Sequence, residues 1–245
     1  MNVLKDRISE CCKKLKISSN FAENAFLTDG ESNQEYLLTL LENEIRHRGE
    51  ARISKLLNTA GFPRFYAKGE FKPDEVKFQN GLCYESLVNA NLTEPCKNVI
   101  MYGGTGTGKT MLSIILGIEA CKKGVPVKFF RAAGLINAFS ECKNKGCLSS
   151  LKKKLNAASV LVLDEFGYIP YDKTGSQLLF DYLSEIHEKK SVILTTNLEF
   201  SQWGNVLYDY NMAAALIGRL THHMELVLFP GENRRLKEAN RAIKH

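Results

Sequence analysis

Four groups of residues have the types and spacing to do chemistry. Gly103-Gly104-Thr105-Gly106-Thr107-Gly108-Lys109-Thr110 fits G-x-x-x-x-G-K-[ST]. In that pattern glycines let backbone N–H groups converge on phosphate oxygens at a helix N-terminus, where the macrodipole favours an anion. Lys109 is then expected to reach the β- and γ-phosphates, and the Thr110 hydroxyl to ligate Mg²⁺. Asp164-Glu165 stands 55 residues after Lys109, directly behind the apolar run Val160-Leu161-Val162-Leu163. Asp164 there suits the Mg²⁺ hydration shell, and Glu165 suits orienting and deprotonating a water that attacks the γ-phosphate. Thr195-Thr196-Asn197 ends the next apolar run, and an amide at that place can donate to the γ-phosphate while accepting from the water. Arg219 is the arginine best placed to stabilise charge in a transferring phosphoryl group, with Arg234 and Arg235 as second choices.

These residues need a scaffold that holds strand ends side by side. Val99–Tyr102 reads as a strand before the glycine loop, and Met111–Leu116 as the helix behind it. Val125–Phe130, Val160–Leu163, Val192–Thr195 and Leu226–Phe229 read as further strands. Helices are expected at about 132–141, 151–156, 176–188 and 212–220. Strands alternating with helices, one of them almost purely apolar, predict an α/β, doubly wound parallel sheet of the P-loop NTPase kind. In such sheets ligands bind beyond the carboxyl ends of the strands, where all four groups but Arg219 fall.

Ahead of this core the pattern is helical. Leu4, Ile8, Cys11 or Cys12 and Leu15 have amphipathic spacing, and a short helix is expected near 20–27. Ser32-Asn33-Gln34-Glu35 is a capping box for a helix to about Thr59, with Leu37, Leu38, Leu41, Ile45, Ile53, Leu56 and Leu57 on its apolar face. Gly61-Phe62-Pro63 stops it. The expected organisation is a helical module over 1–65, a linker leading into the core over 66–97, and the ATPase core over 98–245. Within the linker, Leu82, Tyr84, Leu87 and Val88 suit a helix beside the adenine.

Composition narrows the function classes. Among 245 residues, 44% are hydrophobic and 24% charged, as in ordinary globular chains. No apolar run approaches the ~20 residues of a membrane-spanning helix, and the N-terminus lacks a signal-peptide plan, so a cytoplasmic location is expected. Seven cysteines without a C-x-x-C pair read as reduced thiols, and His222-His223 lacks carboxylate or cysteine neighbours in sequence that would make it a metal site. Net charge is +6. Residues 1–75 balance at 12 basic and 12 acidic, whereas 128–154 hold Lys128, Arg131, Lys143, Lys145, Lys152, Lys153 and Lys154 against Glu141 alone. Of these, Lys143, Lys145 and Lys152–Lys154 are candidate contacts to a DNA backbone.

The elements together resemble an AAA+ ATPase, and more narrowly the IstB-like helper ATPases of bacterial transposition, relatives of the DnaC-type helicase loaders. The resemblance covers roughly residues 30–240. It rests on LLTLLENEIRHRGEARISKLLNTAGFP, GGTGTGKTMLSIILGIEACKKG, VLVLDEFGYIPYDKTG, VILTTNLEFSQWG and GRLTHHMELVLFPGENRRLKE in the family's order. Gly218 replaces the family's usual acidic residue before Arg-Leu, and Asn233 stands where Ser-Tyr usually precedes the next arginine. The resemblance implies ATP bound with Mg²⁺ between subunits of a homo-oligomer (a ring or a helical assembly) on double-stranded DNA. It also implies recruitment of a transposase or integrase encoded nearby, which triggers hydrolysis. A DnaC-type replicative helicase loader is the alternative, distinguished by what residues 1–60 grip. A small-molecule kinase is disfavoured, because Glu165 and Asn197 suit attack by water and no substrate-clamping arginine cluster is present.

Overall fold

A computed structural model of the chain describes residues 3–79, 81–90, 92, 97–168 and 171–233. Cys96, Arg234 and Arg235 lie outside the described residues. The chain divides into two compact units, Met1–Lys55 and Leu56–His245.

The first unit is helical: α1 (Val3–Lys14), α2 (Ser19–Asn24) and most of α3 (Asn33–Ala60). Its interior is small, with Cys12, Ala22 and Leu40 buried together with the carboxylate of Glu44. Glu44 accepts from the Ser18 backbone N–H (3.1 Å) and hydroxyl (2.5 Å) and from Arg48 Nε (2.7 Å). Arg48 in turn donates to the Lys16 carbonyl at 2.8 Å. Burial alone would favour the neutral acid, but these donors outweigh it and hold Glu44 below the usual carboxylate range. The apolar face read from the sequence is not the buried one here, since Leu37, Leu38, Leu41 and Ile45 are all exposed. The capping box also shifts by one residue. Ser32 Oγ accepts from the Glu35 N–H as expected, but Glu35 accepts from the Glu31 N–H.

The second unit runs β1 (Lys77–Phe78), α4 (Tyr84–Asn89), β2 (Asn98–Gly103), α5 (Lys109–Lys122), β3 (Val127–Arg131), α6 (Ala132–Asn144), α7 (Leu148–Asn156) and β4 (Val160–Phe166). It continues with α8 (Lys173–Ile186), β5 (Ser191–Thr196), α9 (Trp203–Leu207), α10 (Tyr210–Thr221) and β6 (Met224–Phe229). The sheet order is β1-β6-β2-β5-β4-β3, parallel throughout except for β1, which pairs antiparallel with β6. Alternate residues build two cores, one on each face. Val99, Met101, Val160, Val162 and Ile193 pack under α4 and α5, while Ile100, Leu161, Leu163 and Leu194 pack under α6, α8, α9 and α10. The expected doubly wound α/β sheet is the observed one. Residues 66–97 contribute β1, α4 and the buried Phe71 to this unit. Among the described residues no helix is long and apolar enough to cross a membrane.

Candidate nucleotide site

The glycine loop joins the carboxyl end of β2 to the first turn of α5. Gly103 lies so close to β6 that a Cβ there would collide with the Phe229 carbonyl, and Gly108, which caps α5, has φ +107°. Both positions therefore demand glycine. Thr107 Oγ1 closes the loop on the Gly104 carbonyl at 2.8 Å. Lys109 Nζ donates to the carbonyls of Gly103 (2.7 Å) and Gly104 (2.6 Å), which lays the cation along the loop. Burial lowers its pKa to about 8, against the opposing pull of Asp164 and Glu165.

Two strands away, β4 breaks its register. Leu163 pairs with Leu194 and Phe166 with Thr196, so Asp164 and Glu165 together face the single residue Thr195. Plain alternation would put Glu165 on the face of Leu163 and Phe166 on the face of Asp164; the bulge turns Glu165 out and returns Phe166 to the face of Leu163. Asp164 stays inside, 1% exposed. Its Oδ1 accepts from Thr195 Oγ1 at 2.5 Å, and its two oxygens stand 2.9 and 3.1 Å from Thr110 Oγ1. Glu165 turns out of the strand with φ +58°, a left-handed conformation that costs a non-glycine residue roughly 1–2 kcal/mol. Its backbone N–H donates to Thr195 Oγ1 at 2.9 Å, and its half-exposed carboxylate lies 3.5 Å from Arg131 Nε at the end of β3. Phe166 then rejoins the face of Leu163.

Asn197 follows β5 directly, and in register Thr196 lies between Tyr102 of β2 and Phe166 of β4. Asn197 thus leaves the strand that lies between the one ending in the glycine loop and the one carrying Glu165. Its Oδ1 is buried and, among the described residues, has no hydrogen-bond partner. A buried polar atom left unpaired costs about 1–3 kcal/mol, so this orphaned oxygen at the carboxyl end of β5 fits a polar ligand there. The hard oxygens of Thr110 and Asp164 fit Mg²⁺.

The structure thus brings together Lys109, Thr110, Asp164 and Glu165, adds Thr195 and Arg131, and sets Asn197 at the end of the strand between β2 and β4. Thr195 is invisible as a site residue in sequence because only the bulge brings it against Asp164. Arg131 reads as one member of a basic run, although its place at a strand end parallels that of Asp164. Leu87 and Val88 are buried in the core.

Arg219 is elsewhere. It lies in the last turn of α10, where Nη1 donates to the Ala215 carbonyl (2.9 Å) and the guanidinium sits 5.3 Å from the centre of the Phe180 ring. The neighbouring Leu220 carbonyl accepts from Asn98 Nδ2 at 3.0 Å, which places this end of α10 at the start of β2, whereas the glycine loop is at its finish. The basic residues of the 128–154 segment are partly committed. Lys152 bonds Glu185 at 2.6 Å, Lys145 lies 3.5 Å from Glu141, and Lys128 donates to the Thr59 carbonyl. Lys143, Lys153 and Lys154 are exposed, with no ion-pair partner among the described residues.

A family model described as IstB-like ATP binding protein matches residues 10–242. The chain belongs to this family. Among its relatives, the insertion sequence IS21 ATP-binding protein of Pseudomonas aeruginosa is 34% identical over 85% of this chain and 79% of the relative. The insertion sequence IS5376 ATP-binding protein of Geobacillus stearothermophilus is 30% identical over 96% of each. Similar solved structures include the DnaC helicase loader, at TM-score 0.51 and 22% identity over 60% of this chain and 85% of that one. Replication initiator DnaA bound to AMPPCP and single-stranded DNA has TM-score 0.51 and 22% identity over 64% of this chain and 50% of that one. These two likenesses are of fold. IstB-like family membership makes the chain an ATP-binding protein and places it among insertion-sequence helper proteins.

Proposed function

We propose that this IstB-like protein is a Mg²⁺-dependent ATPase that assembles on duplex DNA and recruits a transposase. The supporting observation is the β4 bulge, which buries Asp164 against Thr110 and turns Glu165 out beside the loop. In this reading Gly103–Thr110 binds the triphosphate and Lys109 neutralises its outer oxygens. Thr110 and Asp164 hold Mg²⁺, which supplies charge neutralisation at the phosphates. Glu165 accepts the proton of the attacking water, Asn197 orients that water, and Arg131 restrains the Glu165 carboxylate. Arg219 serves a nucleotide held by a neighbouring copy, and Lys143, Lys153 and Lys154 meet DNA phosphates. Insertion-sequence relatives favour the transposition role, whereas the helicase-loader alternative has fold similarity alone behind it.

Electron microscopy with duplex DNA, with and without ATP, tests the assembly. ATP-dependent particles that vanish in Lys109→Ala are expected, and undiminished assembly by that variant sinks the proposal. Replacing Lys153 and Lys154 with Ala should lower the slope of log affinity against log salt by about 0.9 for each phosphate that is no longer neutralised. An unchanged slope removes α7 from the DNA surface.

A further inference from the structure

At the opposite end of the strands from the glycine loop, α8 and α10 end side by side. His187 is the C-cap of α8 and His222 the C-cap of α10, each followed by a non-glycine residue in the left-handed region, Glu188 (φ +58°) and His223 (φ +56°). Histidines 35 positions apart and the carboxylate between them thereby converge. His187 Nε2 is 3.8 Å and His222 Nδ1 3.7 Å from Glu188 Oε1, and one ligand atom from each of the three residues lies within 4.8 Å of the others. In sequence His222-His223 favours packing over a metal site; the fold brings Glu188 and a further imidazole, that of His187, beside His222.

We propose that His187, Glu188 and His222 form a site for a divalent transition-metal ion such as zinc. The donor set, two imidazole nitrogens and one carboxylate oxygen, is that of three-ligand zinc sites, with a fourth position left to water. Imidazole nitrogens suit Zn²⁺, Cu²⁺ or Ni²⁺ and not Mg²⁺, so the ion is chemically distinct from the one assigned to Thr110 and Asp164. Zn–N and Zn–O bonds of roughly 2.0–2.1 Å set tetrahedral ligand atoms roughly 3.3–3.4 Å apart. The two separations to Glu188 need to contract by only a few tenths of an ångström and the third, no more than 4.8 Å, by at most about 1.5 Å, within the reach of rotatable side chains, of which Glu188 and His222 are exposed. Two helix C-termini also meet here, and the negative ends of both macrodipoles favour a cation. His223, whose ring lies 4.2 Å from that of His222, packs against the site from outside the donor set.

Such an ion would clasp the ends of α8 and α10, the pair of helices that hold Phe180 and Arg219 together. The site stands on its own donor set, independent of the role given to Arg219. Its test is zinc binding by the nucleotide-free full chain, followed by calorimetry and by the visible absorption of Co²⁺ as a substitute. One equivalent with the absorption of a four-coordinate Co²⁺ site is expected. His187→Asn and His222→Asn should each weaken binding at least about tenfold, the least that even loss of an outer-shell partner costs a metal site. His223→Asn should leave the affinity within a few-fold. Absence of binding, or zinc held equally well by the His187→Asn/His222→Asn double variant, overturns the proposal. Circular dichroism of the double variant distinguishes missing ligands from a missing fold, because the residues are at the surface and the helix content is expected to stay unchanged.

Discussion

Glu165 joins the proposed chemistry and the backbone strain of the site in one residue. Its left-handed backbone lets the carboxylate leave the strand while Asp164 remains buried, and such strain persists only where surrounding structure imposes it. We predict that Glu165→Gln retains nucleotide binding but lowers turnover by about 100-fold or more, the usual worth of a positioned base. Normal hydrolysis by that variant would remove Glu165 from the mechanism. A second comparison isolates the backbone. Glycine usually destabilises a strand relative to alanine, but at φ +58° alanine carries the clash and glycine does not. Glu165→Gly should therefore unfold at higher denaturant than Glu165→Ala, by about 1 kcal/mol. Lys109 gives a pH signature. Its folded pKa, about 8, lies below its ordinary value of 10.5 because burial penalises the charge. Between those values the unfolded chain binds more protons, so this group makes stability rise with pH. Lys109→Met lacks the buried charge, and its advantage over the wild type in urea should be largest at about pH 7 and shrink by about pH 9.5. Midpoints that shift in parallel would contradict the burial.

At the scale of elements, what could be read in advance depended on whether a pattern is local. The glycine loop, the alternating strands and helices and the apolar β4 are local patterns, and they are legible because a parallel sheet buries its strands on both faces. The β4 bulge is not, since nothing in Leu163-Asp164-Glu165-Phe166 announces that two residues will face one. The pairing of Lys152 with Glu185 joins α7 to α8 across 33 positions, so in sequence Lys152 reads as a free charge. In α3 the pattern misled. A stripe of leucines suggests a buried face, yet the first unit is organised around Glu44, whose partners Ser18 and Arg48 reach it from two segments. Glu44→Ala is expected to cost the helical unit about 2 kcal/mol, as loss of bonds to a charged acceptor does. Leu37→Ser and Leu41→Ser should stay within about 0.5 kcal/mol, as exposed positions do. Because Glu44 is held below its ordinary pKa, the stability it lends is present near neutral pH and lost on acidification through its folded value. Helix content monitored during acid titration should fall later in Glu44→Gln than in the wild type, after allowance for the variant's lower starting stability.

At the scale of the whole molecule, the decisive fact is that the two halves of the proposed chemistry lie at opposite ends of the sheet. The loop, Asp164, Glu165 and Asn197 stand at the carboxyl ends of β2, β4 and β5. Arg219 stands where Asn98, the first residue of β2, bonds the end of α10. Six residues of strand span about 17 Å, well beyond the reach of an arginine side chain from its own helix. If Arg219 takes part in hydrolysis, it does so on a nucleotide held by another copy, in a head-to-tail interface that leaves each subunit with one donor edge and one acceptor edge. ATP binding and assembly are then thermodynamically linked, each favouring the other to the same degree. Subunit mixing tests this without requiring either variant to be active alone. Glu165→Gln spoils a subunit's own site but leaves Arg219 to offer, while Arg219→Ala keeps a complete site but offers nothing. Mixed in equal amounts, the two inactive proteins should recover about a quarter of wild-type turnover, the fraction of interfaces in a random head-to-tail assembly that pair an intact site with an intact arginine. If the mixture stays as inactive as its components while still assembling, Arg219 does not act between subunits.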